Sequence, residues 1–413
     1  MNQETPKVPK LRFKNKDHIN FPDLELYTLG KIAKFKKGKG ISKLDINPQG
    51  LYKCIRYGEL FTTYDENIDE VVSNTEINPS GMILSEGNEV LMPTSDVTPR
   101  GLATASAISL KNIIIGGDIL IINSDKINNL YLAYYIRFNK KQITRLVSGV
   151  TVYHIYSSDL NSFKINLPSL EEQKKISDFL ETVDKYIQNL KSQKEELEKY
   201  KKGMMQKIFS QQIRFKEENE RGYPKWECLK LSEIATFRRG SFPQPYGLPK
   251  WYDEQKGSPF IQVFDVGDDL KLKEKTKQKI SDLAKPSSVF VKQGSIVLTI
   301  QGSIGRVAIT QYDAYIDRTL LIFKSFNRPV DMYFFAYSLH LLFEIEKTKA
   351  PGGTIKTITK ESLSNFMLSI PSLNEQQRIG NFFRTLDLVI STKQKQIEIT
   401  ELWKKGLMQQ MFI

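Results

Sequence analysis

The chain has 413 residues, 40% of them hydrophobic, 11% aromatic and 26% charged, which is too long for one ordinary core and too apolar for a disordered chain. Lys and Arg total 60 against 47 Asp and Glu, and the formal net charge of +13 favours a polyanionic partner. The two cysteines, Cys54 and Cys228, fit neither a disulfide framework nor a CxxC site, the N-terminus lacks an apolar signal core, and no stretch approaches the roughly 18 apolar residues of a membrane span, so a soluble, cytoplasmic protein without a membrane partner is expected.

Taken in chain order, LRFK at Leu11 and LGKIAKFKKG at Leu29 open a first body. Lys36, Lys37 and Lys39 stand in a lysine run around Gly38 and Gly40 that would either line a phosphate backbone or form a solvated surface loop. Thr94 to Arg100 is a polar loop whose Arg100 is a candidate nucleic-acid contact. Short β-type runs follow at 113–115 and 119–122, then a helical piece at 130–138, so the body mixes α and β. Tyr153 and His154 lie in the loop ahead of the next element and are further candidate contacts, or else surface packing.

A long helix is predicted from Ser169. Its 4,3 spacing runs through Ile176, Leu180, Val183, Ile187, Leu190, Lys194, Leu197, Lys201, Met204 and Ile208, eight of ten apolar. Ser169 is placed to cap it, with Glu172 three residues on. One apolar stripe requires a partner to cover it.

The second body repeats the plan. IRFK at Ile213 and LSEIATFRRG at Leu231 bring Arg238 and Arg239 to the place of the first lysine run, with Gln244 just beyond. Strands are expected at 296–300 and 307–310, joined by QGSIGR, whose Gln301, Ser303 and Arg306 are candidate contacts or parts of a plain hairpin. A helical piece is expected at 332–343, and Lys356 and Thr357 precede the last element. That element is a second long helix from Ser372, with Ile379, Phe383, Leu386, Ile390, Lys393, Ile397, Thr400, Lys404, Leu407 and Met411 in the same frame.

Aligned without gaps, 167–210 and 370–413 share 19 of 44 residues, an internal duplication at an offset of 203. Each helix therefore has its own copy as the simplest partner. At about 1.5 Å per residue, a helix of about 40 residues is roughly 60 Å long, and an antiparallel pair would place one body at each end with a pseudo-twofold relation between the halves. The first helix runs on into IRFK, whereas the second stops at Ile413 and LRFK stands at the chain's start, so Ile413 is expected near Leu11. By contrast, residues 43–147 and 241–349 barely align, which implies bodies that read different sequences if they read DNA at all.

Catalytic signals are weak. His18, His154 and His340 form no HExxH or metal-ligand spacing. Asn47-Pro48 and Asn78-Pro79 lack the aromatic residue that an adenine methyltransferase pocket needs, and Glu254-Gln255-Lys256 is a triplet of a kind common in a chain rich in Lys and Glu.

PSLEEQKKI and PSLNEQQRI, each preceded by a strand-like FKINL or FMLSI, together with LRF at the body starts and the KKGMMQ and KKGLMQ endings, resemble the specificity subunits of type I restriction-modification systems. The resemblance spans essentially the full length. It implies an α+β fold of two mixed α/β target-recognition domains, at 1–168 and 211–371, separated by two long antiparallel coiled-coil helices at 169–210 and 372–413. It also implies a chain without catalytic or metal residues that reads an asymmetric bipartite site in double-stranded DNA. The partners implied are two modification subunits using S-adenosylmethionine to methylate adenine, and two restriction subunits using ATP and Mg2+. A coiled-coil scaffold without sequence-specific DNA binding is the alternative; it predicts weak, sequence-blind association.

Overall fold

The computed structural model describes residues 8–217, 219–349 and 358–412, so Lys356, Thr357 and Ile413 lie outside the described residues. It divides into two compact units, 1–191 with 395–413 and 192–394.

In the first unit, the run Ile119–Asn123 is buried along its apolar length because both faces of its sheet are covered, Leu120 and Ile122 in the main core and Ile119 and Ile121 in a second one. Lys34–Lys37 pairs with it on one side and Glu89–Pro93 on the other, with Leu120 opposite Lys37 and Met92. Ser106–Ile108 and Asn67–Ile68 complete a five-stranded sheet. The helix Asn129–Phe138 lies on one face and buries Tyr131, Tyr134 and Tyr135 in the main core, and Asn128 caps its first turn. A second sheet is built on Tyr52–Ile55, antiparallel to Ser73–Thr75 and parallel to Ile114–Ile115.

The second unit has the same plan in a sequence that hardly aligns. Its central strand, Leu320–Phe326, lies between Ala235–Arg239 and Ile296–Thr299, followed by Val307–Ile309. Ser258–Ile261 repeats the second sheet, antiparallel to Gln278–Ile280 and parallel to Ala314–Ile316. The helix Met332–Lys349 covers the core with Phe334, Phe335 and Tyr337. The strands and helices expected in both bodies are present near the expected limits, except that the helix expected at 332–343 runs on to Lys349.

The long helices span Leu170–Phe209 and Leu373–Met411. In each unit, half of one runs antiparallel to half of the other. In the first unit Phe179 meets Trp403, while Leu190 shares a cluster with Ile397; in the second, Lys201 meets Asp387 and Phe209 meets Phe383. The expected seam is divided in its work. Val183, Ile187, Leu190 and Ile397 form a cluster between the helices, whereas Ile176 and Leu180 enter the core of the first unit, and Ile379 and Phe383 that of the second. Leu197, Met204, Leu386, Ile390 and Leu407 are only partly covered, and at the end of the second helix Met408 and Met411 are the buried residues.

The repeat extends to single hydrogen bonds. Arg12 pairs with buried Glu172 and donates to the Pro22 carbonyl; Arg214 does the same with Glu375 and Pro224. These pairs correct the expected capping boxes, because both glutamates turn to an arginine instead of back to their own helix starts. Ser169 Oγ accepts from Glu172 N at 3.3 Å, as a cap should, but Ser372 Oγ is buried without a partner. Where the chain turns from the first helix into IRFK, Ile213 N donates to Lys207 O at 3.1 Å; the same bond joins Leu11 N to Gln410 O at 3.0 Å. The N-terminal segment therefore meets the end of the second helix as the covalent linker meets the end of the first.

Candidate nucleic-acid interface

The candidate residues sort onto equivalent places in the two sheets. In the first unit the loop 94–105 connects the strands Glu89–Pro93 and Ser106–Ile108; in the second, 300–306 connects Ile296–Thr299 and Val307–Ile309. The two loops are topological counterparts with unrelated sequences.

In the first unit a small ribbon stands on this loop. Ser148–Gly149 pairs with Tyr153–His154, which pairs in turn with Ser95–Asp96, so Tyr153 and His154 come beside the segment that carries exposed Arg100. His154 stacks on Tyr156 with ring centroids 6.2 Å apart. Gly149 has φ +116, and a Cβ there would lie 2.2 Å from the Val152 carbonyl oxygen, so the tight hairpin requires glycine. Its tip is apolar and open to solvent: Val150 is 88% exposed, and Val97, Val152 and Tyr156 are exposed beside it. Sequence reasoning missed these four residues. The available signal was the β-branched run GVTV on a glycine turn, but burial decides whether such residues face a core or water.

In the second unit Gln301 is half-buried and Ser303 exposed at the tip of the QGSIGR loop. The loop turns through Gly302 and Gly305, with φ +72 and +83. Thr299 Oγ1 donates to Ser303 O at 2.5 Å and so fixes the loop to its strand. Arg306 points away from this tip, with Nε 3.0 Å from Asp268. Ile358 N donates to Ile300 O as Ile155 N does to Thr94 O, so Ile358 joins this loop as Ile155 joins that of the first unit.

The basic repeat KFKKG/TFRRG lies on the edge strands of the two main sheets. Each motif ends on a glycine that the next turn crosses closely: a Cβ at Gly38 would lie 2.1 Å from the Gly116 carbonyl oxygen, and one at Gly240 would lie 2.2 Å from that of Asp317. Lysines on an edge strand also discourage pairing with foreign strands, a sufficient structural reason for part of the run. Lys37 Nζ is 3.1 Å from Asp118, whose carbonyl accepts from Thr94 N, so Lys37 lies near the root of the 94–105 loop. Lys36 pairs with Glu86 at 2.7 Å, and Lys39 donates to Gly81 O at 3.0 Å. Arg238 and Arg239 are exposed, with Arg239 Nε donating to Arg318 O. Gln244 is exposed in the next loop, close in sequence to Tyr246, whose hydroxyl donates to Asp317 and whose ring lies beneath the Arg318 guanidinium.

Among the described residues, no group of three or more His, Cys, Asp or Glu side chains is placed to hold a metal ion, and no helix is long and apolar enough to cross a membrane.

The family profile described as "Type I restriction modification DNA specificity domain" matches residues 22–199 and again 223–401. The chain is 31% identical over 297 residues to the putative type I restriction enzyme MjaX specificity subunit of Methanocaldococcus jannaschii, covering 69% of this chain and 68% of that one. Against the MjaVIII specificity subunit of the same organism it is 27% identical over 418 residues, 96% and 94% of the two chains. The fold is similar to the crystal structure of the type I restriction-modification S subunit from M. genitalium, with a TM-score of 0.63 at 17% identity over 98% of this chain and 99% of that one. With two matches to the specificity domain, and a duplication that recurs in sheet order and in single hydrogen bonds, the chain belongs to the family of type I restriction-modification specificity subunits.

Proposed function

We propose that the chain is the non-catalytic sequence reader of a type I restriction-modification complex, working on an asymmetric, two-part site in double-stranded DNA in the cytoplasm. The recognition domains are assigned to 1–168 and 211–371, and the spacer helices to 169–210 and 372–413. The observation that carries this reading is the contrast at one topological position: two bodies whose main sheets share the order of four strands present the loops 94–105 and 300–306, which have unrelated sequences. A common frame with unlike tips suits a protein that docks twice in the same way and reads different bases each time.

A two-stranded ribbon fits the major groove, where apolar side chains meet thymine methyl groups and Arg or His donates to base acceptors. The assigned base readers in the first domain are Arg100, Tyr153 and His154, with Val150 at the tip; in the second they are Gln301 and Ser303, together with Lys356 and Thr357, which precede Ile358 in the sequence. Lys36, Lys37, Lys39, Arg238, Arg239, Gln244 and Arg306 are assigned to the phosphate backbone and its surroundings. Two modification subunits dock on the helices and supply the S-adenosylmethionine chemistry on adenine. Ile399, Leu402 and Trp403, all exposed on the second helix, support such docking. Two restriction subunits add ATP- and Mg2+-dependent cleavage, and the helices set the number of unread base pairs.

Electrophoretic competition tests the reading. The complex should bind its own site about 1,000-fold more tightly than unrelated duplex, with affinity falling steeply as salt rises. Equal competition by every duplex would overturn it.

A further inference from the structure

The two helical seams each contain polar interruptions, and only one position is polar in both copies: Lys201 in the first helix and Lys404 in the second, 203 residues apart. Both are largely buried, with side chains 18% and 14% exposed. A lysine in a seam weakens packing relative to leucine, so its recurrence asks for a reason other than stability.

The surroundings supply one. Lys201 Nζ lies 2.5 Å from Asp387 Oδ1 on the facing helix and 5.0 Å from the centre of the Tyr337 ring, and Tyr337 donates its hydroxyl to the other oxygen of Asp387. In the first unit, Lys404 Nζ lies 2.6 Å from Asp184 Oδ1 and 5.1 Å from the centre of the Tyr134 ring, and Tyr134 donates to Asp184 Oδ2 at 2.5 Å. Glu66 adds a second carboxylate 3.2 Å from Lys404. All three members of each set are related by the same offset of 203, and each set joins one helix, the other helix and the body helix that carries the tyrosine. Burial pushes both phenols far above their ordinary range, so each remains a donor.

The arrangement opposes slippage by one heptad. A shift of seven residues would keep the apolar stripe together but would place Lys201 against Gly380 or Gln394, and Lys404 against Ser177 or Lys191. No acid stands at any of the four positions, so a slip of one heptad in either direction leaves a buried lysine and a buried aspartate without their partners. The hydrophobic seam alone does not exclude such a slip. The charged sets do.

We infer that Lys201–Asp387–Tyr337 and Lys404–Asp184–Tyr134 are register locks: positioning residues that hold the two helices in one alignment and thereby fix the number of unread base pairs in the site. This rests on the proposed reading of the helices as the spacer.

The test uses the complex with its modification subunits and a series of duplexes differing only in the number of base pairs between the two half-sites. The native complex should methylate one spacer. The variant K201M/D387N/K404M/D184N, made together with E66Q so that the second carboxylate beside Lys404 is not left as a lone charge, should also methylate neighbouring spacers, with discrimination falling about tenfold or more. The pair K201M/D387N alone, which keeps one lock, should broaden the choice less and serves if the full variant does not assemble. A purely structural role would lower the yield of active complex without moving the spacer profile. An unchanged single spacer in the variants would overturn the lock and leave the proposed function standing. A native complex indifferent to spacer would overturn the proposed function itself.

Discussion

Glu375 is fully buried, and its charge is held by Arg214 through two hydrogen bonds, at 3.0 and 2.6 Å, and by the Trp226 ring nitrogen at 3.1 Å. Removing the cation alone would leave a buried carboxylate short of its main partner. Arg214→Met is therefore expected to destabilise the protein by about 3 kcal/mol, and adding Glu375→Gln should recover much of the loss. Urea denaturation of the two variants checks this; equal stability of the single variant and the native protein would show that the pair does no such work. The cysteines give a second expectation at this scale. Burial pushes the Cys54 thiol up to about 11, whereas Cys228 is exposed. Since the thiolate is the reactive form, maleimide labelling of the folded protein at pH 8 should modify Cys228 alone, and Cys54 only after unfolding. Two labels on the native protein would contradict the burial of Cys54.

At the level of elements, the long helices were legible because a duplicated 4,3 pattern is a strong signal, and the structure gives them at 170–209 and 373–411. What the pattern hid was the division of their faces. Ile176 and Phe383 read as seam residues, yet both also enter the domain cores, Phe383 while still meeting Phe209 of the other long helix, since one apolar stripe serves a helix or a sheet face equally well. The caps show the same limit: Glu172 and Glu375 fit a capping box by spacing, but Arg12 and Arg214, some 160 residues away, are stronger partners for a buried carboxylate. The common strand order of the bodies could not be read, because a core strand requires only an apolar run and ILIIN and LLIF satisfy that demand with different residues. The exposed ribbon tip at Val150 was invisible for the converse reason. An insertion of four residues between Glu195 and Glu196 belongs to this scale. It rotates the remaining seam by about one turn, and methylation assays should find a changed spacer or no assembled complex. Full activity on the native spacer would refute the ruler.

At the scale of the whole molecule, one chain carries two domains of one design. The repeat holds from sheet order down to the hydrogen bond between Leu11 and Gln410, which does without a covalent link what the chain does between Lys207 and Ile213. The bodies differ in sequence throughout, in their core strands as well as in the loops 94–105 and 300–306, yet the arrangement of their main strands is kept. The most direct measurement of the proposed function is a map of methylated adenines in cells carrying the modification subunits with this chain, compared with cells in which residues 300–306 are replaced by the corresponding loop of another specificity subunit. The account expects one motif of two unlike parts with a fixed gap, and loss or change of one part only in the second strain. Methylation without a two-part motif, or a motif untouched by the replacement, would contradict it.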